Sequence, residues 1–150
     1  MTNQIPREVQ IEAACSISYY EAFDILSEYV PGMKEWEPSK ESGRAYKEYI
    51  TSHFDFTPEQ LIKFMRNHKD QCKNLLIKSN DTRSTPNPFF SKWKDNQYRV
   101  GWVDPDLEET ISQIRVYGSL HEAAADYILL KWRLPRLKKI DADWYEMEKY

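Results

Sequence analysis

Glycine is scarce in this sequence, and its four copies, Gly32, Gly43, Gly101 and Gly118, stand far apart. A phosphate-cradling loop needs closely spaced glycines, because backbone amides must approach the anion with no Cβ in the way. The spacing therefore excludes a P-loop and a dinucleotide fingerprint. It also excludes a Gly-x-Ser-x-Gly nucleophile elbow. Cysteine is scarcer still, with only Cys15 and Cys72. No Cys-x-x-Cys pair exists, so neither a zinc ribbon nor a disulfide scaffold is signalled. The two thiols read as small buried hydrophobes in a reducing compartment.

The three histidines, His53, His68 and His121, are scattered singly. None has a His-Glu-x-x-His, His-x-Thr or His-x-Ser context. His68 and Cys72 share a helix face, but the further ligands of a zinc site have no signal, and the pair reads as an imidazole at the core edge above a buried thiol. No metal or cofactor is expected. Asp104-Pro105-Asp106 superficially resembles the metal-binding Asp of restriction-type nucleases. However, no Asp or Glu is followed two places later by Lys, so the rest of that motif is missing. Helix capping explains the two carboxylates better.

Long apolar runs are also lacking. None approaches the about 20 residues needed to cross a bilayer. The start, MTNQIPREVQ, has neither the basic nor the apolar block of a signal peptide, so a cytoplasmic protein is expected. Nor is there a basic excess: the net charge is −3 and the pI near 5.7. A general duplex-DNA binder is usually basic, because phosphate neutralisation supplies much of its affinity.

What is present is a globular composition, 41% hydrophobic and 30% charged over 150 residues, enough for a single domain with a real core. Aromatics are abundant, with 10 Tyr and 5 Trp, side chains suited to half-buried cores and to interfaces. One stretch has loop composition, residues 79–88.

The N-terminal half reads as helical. In residues 9–17 strand-like alternation competes with Pro6, Glu8, Glu12, Ala13 and Ala14, which favour a helix, and helix is the reading taken. Ser18 and Glu21 have capping-box spacing ahead of Phe23, Leu26 and Val30. A third helix is expected over about Lys40 to His53. Thr57, Pro58 and Gln60 form the clearest helix start, with Phe56 and Leu61 placed as a hydrophobic staple. Leu61, Met65, His68, Cys72, Leu75 and Leu76 then recur at helical spacing.

Residues 89–103 read as a β-hairpin: Phe89, Phe90 and Trp93 precede a polar turn at 94–97, then Tyr98, Val100 and Trp102 alternate with Arg99 and Gly101. A lone hairpin is marginal, so helices or a third strand must cover it. Residues 9–17 and 111–117 are the candidates for that strand. For 111–117, β propensity conflicts with the helical spacing of Leu107, Ile111 and Ile114 after Asp104-Pro105, and the spacing predicts a helix ending at Gly118. Ser119 and Glu122 open the next helix, expected to be the most buried, running to Pro135. A tail helix is expected after Asp141. Leu61, Met65, Leu75, Ala124, Tyr127 and Ile128 are the predicted core.

The expected fold is thus α+β: a mainly helical single domain with a small antiparallel sheet built on the hairpin. Two surfaces are candidates for a partner. One is the aromatic hairpin with Trp93, Arg99 and Trp102, because Trp and Arg dominate binding hot spots. The other is the basic turn of Lys131, Arg133, Arg136, Lys138 and Lys139 around Trp132, a mixture that can grip a nucleic-acid backbone. Cations are also favoured at a helix C-terminus, and nearby acids at 141–148 can neutralise the turn. The functional expectation is a non-catalytic cytosolic protein-binding module. In general character it resembles inhibitors and immunity proteins, a likeness that rests on no specific residues. The competing expectation is a small enzyme or nucleic-acid-associated factor whose site is assembled only by folding.

Overall fold

Among the described residues, six α-helices and one small three-stranded antiparallel sheet give a mainly helical α+β fold, as the sequence predicts. A computed structural model describes residues 5–16, 19–35, 43–78, 87–94, 96–104 and 110–137. The expected loop at 79–88 (apart from its last two residues), the Ser18 cap, residues 105–109, Lys138, Lys139 and the tail after Asp141 lie outside these. The chain forms two units, Met1–Leu61 and Ile62–Tyr150.

In the first unit, α1 (Arg7–Ala14) settles the ambiguous segment in favour of helix over residues 9–14, and Pro6 opens it; residue 17 lies outside the described residues. Pro6 has no amide to satisfy, and its carbonyl accepts the first helical bond from Gln10 at 3.0 Å. α1 packs on α2 (Tyr19–Ser27), and α2 on α3 (Gly43–Thr51). The apolar positions at helical spacing are the buried ones: Ile11 and Ala14 on α1, Phe23 and Leu26 on α2, Ile50 on α3. Gln10 is buried too, and its amide group is fully used. It donates to the Ile5 carbonyl (2.9 Å) and Asp55 Oδ1 (2.8 Å) and accepts from the Asp55 amide (2.7 Å). This tethers the segment before α4 to α1.

α4 (Pro58–Asn67) begins with the predicted capping box. The Gln60 amide donates to Thr57 Oγ1 at 3.1 Å, and the Thr57 amide to Gln60 Oε1 at 2.8 Å. The periodic run from Leu61 to Leu76 is two helices rather than one: the chain breaks at His68, whose carbonyl starts α5 (Lys69–Lys78) by accepting from Cys72 at 3.2 Å. An unbroken 3.6-residue pattern is blind to such a break, because a one-residue interruption leaves the apolar face nearly in phase.

In the second unit the hairpin forms as expected, with β1 (Asn87–Lys92) and β2 (Tyr98–Asp104) closed by Trp93 N–H to the Gln97 carbonyl at 2.8 Å. Residues 111–117 correct the sequence reading. They are not helical but lie in β3 (Thr110–Tyr117), which pairs antiparallel with β2 to complete a sheet of order β1-β2-β3. The β-branched and aromatic residues Ile111, Ile114, Val116 and Tyr117 prevail over the helical spacing, because the hairpin offers a row of backbone groups that only a strand can satisfy. The register shifts between Val100 and Trp102, where β3 carries one extra residue.

α6 (Leu120–Lys131) lies across all three strands and α5. Its residues Ala123–Leu130 are all buried, so this helix is covered all round rather than along one stripe. The expected box at its start takes another form: Ser119 Oγ donates to Glu122 Oε1 at 2.7 Å, with no side-chain bond to the backbone. The helix also ends four residues before Pro135. All six predicted core residues are buried. No helix of the described residues is long and apolar enough to cross a membrane.

Candidate functional site

Among the described residues, the end of α6 carries a non-glycine residue with a left-handed backbone. Arg133 has φ 57°, a left-handed conformation that glycine usually supplies at this position. Two hydrogen bonds hold it there: Arg133 N–H to the Leu130 carbonyl (3.1 Å) and Leu134 N–H to the Leu129 carbonyl (2.8 Å). Together they form the Schellman pattern that satisfies the last carbonyls of a helix. An L-residue in this conformation costs roughly 1–2 kcal/mol. It also throws the exposed Arg133 side chain back over β2, with the guanidinium 5.5 Å from the centre of the Trp102 ring.

Trp102 alternates with Val100 and Tyr98, so the three side chains point to the α6 face of the sheet. There Trp102, Leu130, Arg133, Leu134 and Arg136 surround an open cavity of about 460 Å³. Three of the five sequence-predicted partner residues therefore meet in one place, drawn from the hairpin and from the basic turn.

Behind the cavity lies a charged group that the sequence reading missed. Asp126, on α6, has no exposed surface. Arg136 grips it with two nitrogens, Nε to Oδ1 at 3.0 Å and an Nη to Oδ2 at 2.5 Å. Arg115, on β3, brings Nη1 to 3.9 Å from Asp126 Oδ1 and donates to the Leu137 carbonyl. Burial and the neighbouring Asp126 carboxylate push the Tyr117 hydroxyl well above the ordinary phenol range. One buried carboxylate thus fixes the chain after α6, and with it the lip of the cavity. The signal was present in the sequence: Asp126 is the one charge inside an otherwise apolar helical run, and a charge there must be paired.

Trp93 and Arg99 sit on the opposite face of the sheet. Phe89, Ile114 and Val116 are buried there, with Trp93 packed against them. The Arg99 guanidinium lies 5.4 Å from the Phe89 ring centre and 5.0 Å from that of Trp93, and its Nε donates to Ser91 Oγ at 3.1 Å. Half-buried Arg99 thereby roofs its own apolar cluster, which is how this hairpin covers part of its second face.

The basic turn is less available than its composition suggests. Trp132 is only 2% exposed, so it cannot stack a base, and Arg136 is held by Asp126. The histidines stay apart. His68 is exposed and stacks on Phe64 (3.9 Å between centres), with Nδ1 2.7 Å from the Phe64 carbonyl. It thus packs at the edge of the core, on Phe64, but at the break between α4 and α5 rather than on one unbroken helix with Cys72. His53 lies edge-on to Tyr49, and His121 occupies the first turn of α6. Cys72 is buried, and desolvation raises its thiol to about 11. Among the described residues no three His, Cys, Asp or Glu side chains converge as a metal site would require. In comparison with known proteins, the chain matches no family model, no curated protein and no solved structure.

Proposed function

We propose that the chain is a non-catalytic, cytoplasmic protein-binding module, of the kind that holds or blocks a partner protein, and that it binds through the surface where Trp102 and Arg133 meet. The observation that carries this reading is Arg133: a backbone position suited to glycine instead presents an arginine over a half-buried tryptophan at the lip of a cavity. Strained backbone is retained where the surrounding structure over-determines it, and such positions cluster at functional sites. Trp and Arg are also the residues whose truncation costs binding most. The buried Asp126–Arg136 pair holds the turn in place before any partner arrives, which lowers the ordering cost of association.

The test is affinity capture from the native cell with the wild-type chain and with Trp102→Ala, Arg133→Ala and Trp93→Ala, each checked for folding by circular dichroism. The captured protein is then identified, purified and titrated by calorimetry. Folded Trp102→Ala and Arg133→Ala chains should bind it more weakly than wild type. Unchanged affinity in both would reject this surface, and a loss confined to Trp93→Ala would move the interface to the opposite face of the sheet.

A further inference from the structure

The cavity beside Trp102 has two kinds of wall. Leu130 and Leu134 supply apolar surface, and Trp102 adds the ring over which the Arg133 guanidinium lies. Arg133 and Arg136 supply positive charge, with Arg115 behind them. Arg115 and Arg136 both meet the carboxylate of Asp126, which has no exposed surface, while the exposed Arg133 lies over the Trp102 ring. Among the described residues the lining thus carries two guanidinium groups, although the chain as a whole carries −3. A group entering here must leave water next to two guanidinium groups and two leucines. A carboxylate joined to an apolar group matches both walls, because planar guanidinium and carboxylate groups pair with two parallel hydrogen bonds.

Resting on the protein-binding reading above, we propose that this cavity receives an acidic side chain of the partner, Glu or Asp, flanked by an apolar residue. A phosphate-bearing strand fits less well. It would gain from the charge but leave Leu130 and Leu134 without an apolar counterpart, and Trp132 is too buried to stack a base. The charged contact should set the rate and selectivity of association, so added salt should slow it.

The probes are the blocked dipeptides N-acetyl-Glu-Leu-amide and N-acetyl-Gln-Leu-amide, and inorganic phosphate. Each is titrated into the full ¹⁵N-labelled chain while the Trp102 indole N–H resonance is followed, assigned by its loss in Trp102→Phe. The Glu probe should shift this resonance saturably and bind at least about tenfold tighter than its neutral Gln analogue. The shift should vanish in folded Arg133→Ala and weaken with salt. No shift, equal shifts from both dipeptides, or a shift from phosphate as large as that from the Glu probe would each overturn the proposal. The last of these would identify a site for free or nucleic-acid phosphate. Partner capture separates this inference from the reading beneath it. If Trp102→Ala loses the partner but the Glu probe gives no shift, the interface stands and its acidic chemistry falls. If the Glu probe shifts the resonance but Trp102→Ala still holds the partner, the cavity's chemistry stands and the proposed interface falls.

Discussion

Replacing Arg133 by glycine and by alanine separates the strain in its backbone from the contact made by its side chain. Both substitutions remove the guanidinium from the Trp102 ring, a contact worth about 0.5–1 kcal/mol at an exposed site. Alanine keeps a Cβ in the left-handed conformation, where φ is 57°. It should therefore lose stability by roughly that contact energy, about 0.5–1 kcal/mol. Glycine also releases the strain of roughly 1–2 kcal/mol. Against this, it gives the unfolded chain extra freedom worth about 0.4–1 kcal/mol. The glycine variant should therefore be more stable than the alanine variant by roughly 1 kcal/mol and close to wild type. Urea denaturation followed by circular dichroism measures this, provided the slopes agree so that midpoints report stability alone. In a Trp102→Ala background the step from Arg133 to alanine should cost almost nothing, because the partner ring is already gone. An alanine variant as stable as the glycine variant would refute the left-handed turn at 133. Both variants should bind the partner less well, so the glycine variant should gain nothing in function from its relaxed backbone.

Asp126→Asn should destabilise the chain by about 3–5 kcal/mol, since it leaves Arg136 and Arg115 without their buried counter-charge. The double change Asp126→Leu with Arg136→Met should recover much of this in the same denaturation assay. Ile128→Ala, at a position with no exposed surface, should cost about 2–5 kcal/mol, and a loss below about 1 kcal/mol would show that Ile128 is not packed in the core. Cys72 sets an alkaline limit. Its thiol is raised to about 11 when folded, so above the ordinary thiol range the unfolded chain ionises first. Stability is then lost as pH rises through about 9 to 11, by an amount on the order of 2 kcal/mol. A Cys72→Ala chain should lack this part of the decline in pH-dependent melting, and native Cys72 should resist thiol reagents at pH 8.

Local chemistry made the helix starts legible. The Thr57–Gln60 box and Pro6 act through bonds within one turn, so neighbouring residues specify them whatever the rest of the chain does. The hairpin and the burial of Leu61 and Met65 were legible for a related reason: period-two and period-3.6 patterns record which face must leave water. Residues 111–117 carried both patterns, and the choice was made elsewhere. The unpaired edge of β2 needs backbone partners, and that need is non-local. The break at His68 and the early end of α6 at Lys131 were likewise invisible to periodicity. Composition could nominate Trp102, Arg133 and Arg136 but not bring them together. That required a left-handed turn at an arginine, a hydrogen-bond closure to Leu129 and Leu130, and a buried Asp126 to hold the returning chain. The sequence thus determined which residues leave water and where α1 and α4 begin. The tertiary structure decided which backbone groups pair across the sheet and which side chains share the cavity, because those energies exist only between residues distant in sequence.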